Sequence, residues 1–520
     1  MGVEQSQGHR LETIELGLRF RELLMTIPAR ENMAEFLATL ADNCQTVIDL
    51  HDELAPVSIL LAQAIRMAEV NGIAVPERTR ELLEAALAAL GEPNASLVRT
   101  LSVGGPAAKD VLSFAKRLEP ARHSEDAAYD VRPVAMAARR LLDSKEAGDD
   151  AKVAAFAIEL LADQAIKRQS ADSGSALPCS IEEPAEIAKE ISRDGISVTL
   201  LGVADTSRVV RVTAEGGELS ATIVEPAEVF SKAALDTWGE QYPYQYAFDS
   251  DDPNVFYNSM RELGISAAPT TPALLVADVA LQQLPANLLM ASGELLGLQV
   301  PVAAAPSLSW LKEARARPPR TRAPFAWIPI SDDPEAIQTL GVLADRLSGT
   351  LRDHSIGLDT GLAVPERLTG AELAIVTAHG SIIPEGRFFQ VVADDADMRL
   401  TPDAISSAVR NAGVVILFVC SAGRFDKHPM ADTTTGLAKE LLDQGCSAVI
   451  ASPWPLSASV PPYWLPAFMK AWSAGEPVIT ANFEGNKAVE RALGKSPANC
   501  LALTVFGDPL LARRRATELV

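Results

Sequence analysis

Basic charge is scarce in this chain of 520 residues. Its 46 lysines and arginines stand against 68 aspartates and glutamates, for a formal net charge of −22. A protein that wraps nucleic acid needs a basic face to displace counterions from phosphate. The longest basic clusters, Arg315 to Arg322 and Arg513 to Arg515, are short. Direct nucleic-acid binding is therefore not expected, and the same negative charge disfavours acidic membrane surfaces. Aromatics make up only 5%, so the cores are expected to be aliphatic. No run of 18 uncharged apolar residues occurs, so no transmembrane helix is expected. The first ten residues, MGVEQSQGHR, lack the apolar stretch of a secretory signal. Cysteines number five, at Cys44, Cys179, Cys420, Cys446 and Cys500. They are odd in number, far apart and without CxxC spacing, which argues against a disulfide framework or zinc knuckle. The expected compartment is a reducing cytoplasm. Near the end, RALGKS carries Val489 where a P-loop needs its first glycine. No dinucleotide fingerprint or metal-ligand spacing is present, so neither cofactor nor metal is expected.

What is there divides into three parts, in keeping with roughly 100–200 residues per domain. Residues 1–180 are expected to be all-helical. LETIELGLRFRELLMTI, NMAEFLATLADNCQTVIDL, SILLAQAIRMAEV and RTRELLEAALAAL place apolar residues three and four apart. They are broken at Pro28, Gly72 to Pro76 and Gly91 to Asn94. SADSGSALP (170–178) is a linker candidate. Over 185–322 the period turns strand-like. ISVTLLGV is one strand, and RVVRVTAEGGELSATIVEP reads as a hairpin about Gly216–Gly217. Residues 239–257 (GEQYPYQYAFDSDDPNVFY) read as a surface excursion, and PALLVADVALQQLPANLLM as a buried strand leading to a short helix. After RARPPRTRAP, residues 323–520 alternate short apolar strands with helices: FAWIPI, PEAIQTLGVLADRLSG, ELAIVTA, TPDAISSAVRNA, VVILFV, GLAKELLDQG and SAVIAS. This βαβ rhythm implies a mostly parallel sheet with helices on both faces, and such sheets carry chemistry at the carboxyl ends of their strands.

Two residues suited to nucleophilic catalysis follow two fully apolar strand runs. His379 follows LAIVTA and Cys420 follows VVILFV, with one helix between the strands. Parallel neighbours would bring both side chains to one sheet edge. A thiol of pKa about 8.5 is mostly protonated at neutral pH. A nearby imidazole can take its proton and later protonate the leaving amine. Gly380 and Gly423 leave room for sharp turns and for N–H groups beside a developing oxyanion. Other candidates have blander readings. Cys446, at a helix-to-strand turn, reads as core, and His428 as solvated. Asp394, Asp395 and Asp397 form a loop that suits a cation, but a solvated loop is the expected reading. A nucleophile elbow at FVCSAG would need glycine at Phe418 and its histidine late in the chain.

Taken in order, LLVADVALQQLP, the PSL within Ala305 to Leu311, LAIVTAHG, VVILFVCSAG, GCSAVIASPWPL and FGDPLL resemble a CHAT domain. This is a branch of the caspase-like (clan CD) cysteine peptidases, related to separases and metacaspases. The resemblance covers roughly half of the chain, from about residue 270 onward. It implies an α/β caspase-like sheet flanked by helices, preceded by an inactive, strand-rich caspase-like half over 185–322, which contains no histidine. It implies His379 as acid or base and Cys420 as nucleophile, with the backbone amides of Gly380 and Cys420 as the oxyanion hole. The threonine usual two residues after the cysteine is Ala422 here.

The expected activity is that of a regulated cysteine endopeptidase acting on a protein substrate. The helical region would be the docking surface for a regulatory protein or ligand, and the resemblance implies a prokaryotic stress or antiviral programme. A catalytically silent binding scaffold and an elbow-type cysteine hydrolase are the rival readings. The resemblance implies that Phe418 stands where metacaspase-type enzymes that cut after Arg or Lys place an aspartate, and that Trp454 of SPWP lies on the opposite pocket wall. Burying a lysine or arginine without a carboxylate partner is costly, so an apolar residue is expected before the cut. An acid brought in from a distance, such as Asp394, Asp395 or Asp432, would reverse that preference.

Overall fold

The computed structural model describes residues 54–70, 72–90, 106–118, 132–162, 177–224, 254–263, 265, 271–331, 338–383, 388–394, 398–427 and 434–513, with single residues between 37 and 45 and at 95 and 98. The segment LETIELGLRFRELLMTI, residues 239–253, the linker at 170–176, and Asp395, Asp397, His428 and Asp432 lie outside these residues.

The chain divides into two compact units: residues 1–157 with 204–206, and residues 158–203 with 207–520. The junction expected near 180 falls inside the second unit. The described part of the first unit is helical: α1 (Leu54–Val70), α2 (Glu77–Leu90), α3 (Ala108–Leu118), α4 (Arg132–Leu142) and α5 (Lys145–Asp149). On α1, Leu61, Ala64, Ile65 and Ala68 are buried, and on α2 Leu83, Ala86 and Leu87. These are the stripes that a 3.6-residue period requires, and Leu61, Ala64, Ile65, Ala68, Leu83 and Leu87 meet Leu37, Leu40 and Cys44 in one core.

Glu159, on helix α6 (Ala151–Ala162), is fully buried and belongs to the second unit. There its carboxylate accepts the backbone N–H groups of Leu308 (2.9 Å) and Ser309 (2.7 Å). Those amides are unpaired donors at the start of helix α9 (Leu308–Ala316), and a carboxylate satisfies them. Between the two lie helices α7 (Glu183–Arg193) and α8 (Asn254–Leu263).

One sheet of eleven strands organises the second unit. In chain order these are β1 (Ser197–Val203), β2 (Val209–Glu215), β3 (Glu218–Ile223), β4 (Ala273–Ala277), β5 (Val302–Ala305), β6 (Phe325–Trp327), β7 (Gly357–Asp359), β8 (Leu373–Thr377), β12 (Val414–Phe418), β13 (Ala448–Ala451) and β14 (Thr504–Gly507). A separate antiparallel sheet holds β9 (His379–Ile383), β10 (Phe388–Val392) and β11 (Arg399–Leu400). The central order is β3-β2-β1-β4-β5-β14-β13-β12-β8-β6-β7. Strands β6, β7, β8, β12 and β13 are mutually parallel. Strands β1, β4, β5 and β14 are also mutually parallel and run the opposite way. The hairpin β2–β3 turns at Gly216 and Gly217, with φ of 56° and 88°. Both angles lie in the left-handed region that a two-residue hairpin turn needs.

The halves at 185–322 and 323–520 thus share one continuous sheet. The C-terminal strand β14 is inserted between them, pairing β5 on one side and β13 on the other. Every residue of β8, β12, β13 and β14 is buried. Successive strand side chains point to opposite faces, so both faces of the sheet are covered. Helix α7 packs on β1 and β2, helix α12 (Leu437–Asp443) on β13, and helix α14 (Val478–Leu493) on β14 and β5. Helices α10 (Thr339–Asp353), α11 (Pro402–Val409) and α13 (Pro461–Ser473) complete the second unit's main helices.

Candidate active site

Strand register decides the geometry. Thr377 at the end of β8 is paired with Phe418 at the end of β12. His379 and Cys420 therefore each lie two residues beyond the same rung, at one edge of the sheet. A cross-link just past it, from Ala378 N–H to the Phe418 carbonyl (3.3 Å), keeps the two strand exits together.

After Thr377 the chain leaves the central sheet and enters β9. This path takes the backbone directly over Cys420. A Cβ built on Gly380 would overlap the Cys420 carbonyl oxygen and lie 3.1 Å from Cys420 N. Only glycine fits so close an approach. Cys420 itself opens a tight turn. Ser421 has φ 57°, an uncommon value for a residue with a side chain. It is held there by its N–H to the Trp454 carbonyl (3.0 Å), and Gly423 N–H binds the Ser452 carbonyl (2.9 Å). The Ser421 amide is thus occupied. The Cys420 amide has no acceptor among the described residues.

The Cys420 sulfur is half-buried and meets residue 456. Leu456 N–H donates to Sγ at 3.3 Å, and the thiol lies 3.8 Å from the Leu456 carbonyl. Among the described residues no hydrogen bond joins the His379 ring to Sγ. The imidazole is held from its other side: Nε2 lies 2.6 Å from Asp394 Oδ1. Asp394 Oδ2 accepts the N–H of Leu340 (3.0 Å), in the first turn of α10. The Asp394 side chain is 1% exposed and that of His379 38%.

Two sequence expectations need correction. Asp394 is not part of a solvated loop, nor is it a spare acid for a substrate pocket, because both of its oxygens are engaged inside the protein. Phe418 and Trp454 are not pocket walls. Phe418 is 3% exposed, its ring edge-on to Trp464 at 5.8 Å. Trp454 is 0% exposed, packed 5.5 Å from Phe256 and donating Nε1–H to the Ala498 carbonyl (2.8 Å). Both rings are core beneath the strand exits. The apolar pocket built on them loses its basis.

Among solved structures similar to this chain are two of the Saccharomyces cerevisiae separase–securin complex. One is 10% identical over 92% of this chain, with a TM-score of 0.43, and the other 10% identical over 98%, with a TM-score of 0.42. This chain spans 40% of the length of those separase chains. Another is the Arg-specific cysteine proteinase gingipain R, 15% identical, covering 54% of this chain and 75% of its own, with a TM-score of 0.32. No family model matches the sequence, and no curated protein matches it.

Cys44, Cys446 and Cys500 are buried, and burial pushes their thiols up to about 11, 12 and 12 respectively. Cys446 is core, as its place at a helix-to-strand turn implied. No cluster of metal-binding side chains occurs among the described residues, and no described helix is long and apolar enough to cross a membrane.

Sequence reading missed two participants. Leu456 contributes only backbone, which no side-chain pattern can reveal. Asp394 is two residues past Val392, and Val392 is the partner of His379 in the β9–β10 pair. The alternating FFQVVADD run that follows LAIVTAHG was the available signal for that hairpin.

Proposed function

We propose that the chain is a caspase-like cysteine endopeptidase with Cys420 as nucleophile and His379 as its acid–base partner. The Thr377–Phe418 register carries this reading, because it delivers both residues to one edge from adjacent buried strands. In the reaction, the Cys420 sulfur attacks the scissile carbonyl carbon while its proton passes to His379. The oxyanion that forms is met by the backbone amides of Gly380 and Cys420. His379 then protonates the departing amine, leaving a thioester. Water, deprotonated by the same imidazole, hydrolyses the thioester and regenerates the thiol. The resemblance of HG, CSAG and SPWP to the CHAT branch supports a protein substrate, control by a partner at the helical unit, and a role in a prokaryotic stress or antiviral programme.

An elbow-type hydrolase fits less well. An elbow turns its strand straight into a helix beneath the nucleophile. Here residues 421–427 contain no helix, and Asp426–Lys427 are extended. A silent scaffold is separated by chemistry: a blocked peptide acyloxymethyl ketone should label the wild-type chain on Cys420, and neither Cys420→Ala nor His379→Ala should react there. Labelling confined to the exposed Cys179, or none at all, would remove the peptidase reading.

A further inference from the structure

We infer that Asp394 is a positioning residue that sets the tautomer and aim of the His379 ring, so that Nδ1 is the nitrogen that exchanges protons with Cys420. This rests on the reading of His379 and Cys420 as a catalytic pair.

The chain path explains how the carboxylate arrives. His379 opens β9 and is paired with Val392 of β10. Asp394 follows two residues later, in a turn closed by Ala393 N–H to the Met398 carbonyl (3.4 Å). The returning hairpin thus sets Asp394 beside the imidazole, on the side of Nε2. Its two oxygens have different partners: Oδ1 the ring nitrogen at 2.6 Å, Oδ2 the Leu340 amide at 3.0 Å. The carboxyl group cannot rotate without losing one of them. Leu340 lies in the first turn of a fifteen-residue helix, whose positive end suits a carboxylate. The anchor is therefore rigid and 1% exposed, while the ring it grips is 38% exposed.

Donor and acceptor chemistry then fixes the proton. A carboxylate only accepts, so Nε2 must carry hydrogen, and in the neutral ring Nδ1 is left with the lone pair. The nitrogen able to take a thiol proton is thereby chosen before substrate arrives. Once the proton moves, the imidazolium has a buried carboxylate on its far side, which stabilises the charged ring.

The isosteric Asp394→Asn tests this in the full-length protein. Asparagine offers one oxygen and one NH₂ group. If its oxygen keeps Leu340, the NH₂ faces Nε2 and drives the ring proton to Nδ1. If its oxygen keeps the ring, two N–H groups oppose each other at Leu340. Cys420 should react with iodoacetamide at pH 7 at least about tenfold more slowly in Asp394→Asn than in wild type. The rate is read by mass spectrometry of the tryptic peptide in a Cys179→Ser background. Turnover of a peptide found by library profiling should fall about 10²- to 10⁴-fold in kcat, the scale of a wrong-tautomer defect, with KM within about threefold. Asp394→Glu, which retains the carboxylate, should recover part of both rates.

An independent reading needs no variant of Asp394. In histidine-¹⁵N-labelled wild-type protein, with the His379 signals assigned by their loss in His379→Gln, the neutral ring should be protonated at Nε2. A ring protonated at Nδ1, or Asp394→Asn reacting at the wild-type rate, would overturn the inference. If wild type fails to react with the peptide ketone, the peptidase reading falls instead, while the ring measurement still decides what Asp394 does.

Discussion

Two buried carboxylates sit past strand ends in the same unit and are used differently. Asp278 follows β4 and is fully buried. It accepts the backbone N–H groups of Val203 (3.0 Å) and Ala280 (2.9 Å). It ties the end of β4 to the end of its neighbour β1 and caps the short turn at Val279–Leu281. Asp394 follows β10 and has one backbone donor, Leu340, and one imidazole. A carboxylate held by backbone amides closes the fold on itself. One that commits an oxygen to a half-exposed histidine holds a group that faces outward. The difference separates a strand end tied into the sheet by backbone amides from one tied to a half-exposed imidazole.

The strongest challenge to this contrast is removal of sulfur. Cys420→Ala should lower peptide cleavage by about 10⁴-fold or more, the scale seen when a nucleophile is deleted, with circular dichroism unchanged. Next is the glycine beneath it. Gly380→Ala must push the Cys420 carbonyl aside, so we expect a loss of about 10²- to 10³-fold in kcat, comparable to losing an oxyanion donor, and a lowered Tm. Equal activity in the alanine variant would mean that the close approach has no catalytic consequence.

Asp278→Asn sharpens the comparison from the other side. Replacing an acceptor-only group that serves two buried amides should cost about 1–3 kcal/mol in urea unfolding. Cys420 alkylation should stay within twofold of wild type. A large change in alkylation with no change in stability would erase the distinction between the two carboxylates.

The smallest effect concerns the buried thiol of Cys446. Burial raises its pKa from 9.0 to about 12, so the folded state holds its proton more tightly than the unfolded chain. Its contribution to stability is complete below pH 9 and is lost as pH rises from about 9 towards 12. Cys446→Ala should flatten that part of the stability–pH curve and leave peptide cleavage unaltered. Native Cys446 should resist iodoacetamide at pH 8 while Cys420 reacts.

The strands could be located from sequence because buried parallel strands are continuous apolar runs. LAIVT and VVILF became β8 and β12, and the Gly216–Gly217 hairpin formed where two adjacent glycines allow positive φ. Segments at 54–70 and 77–90 are helical where the three–four spacing placed them. Phe418 and Trp454 were misread because an aromatic near a reactive residue looks the same in sequence whether it faces a groove or the core. Only their packing on Trp464 and Phe256 distinguishes the two.

By itself, the sequence determined which residue types could do chemistry and that each follows a buried strand. Apolar run length and period are local properties, and so is the absence of basic stripes and cysteine pairs. Tertiary structure alone decided that one sheet joins both halves through the last strand. It also decided that Gly380 lies against Cys420 and that Leu456 and Asp394 face the sulfur and the imidazole. Those are contacts between segments far apart in the chain or folded back by a hairpin. They are fixed by strand register and backbone path, which no local spacing encodes.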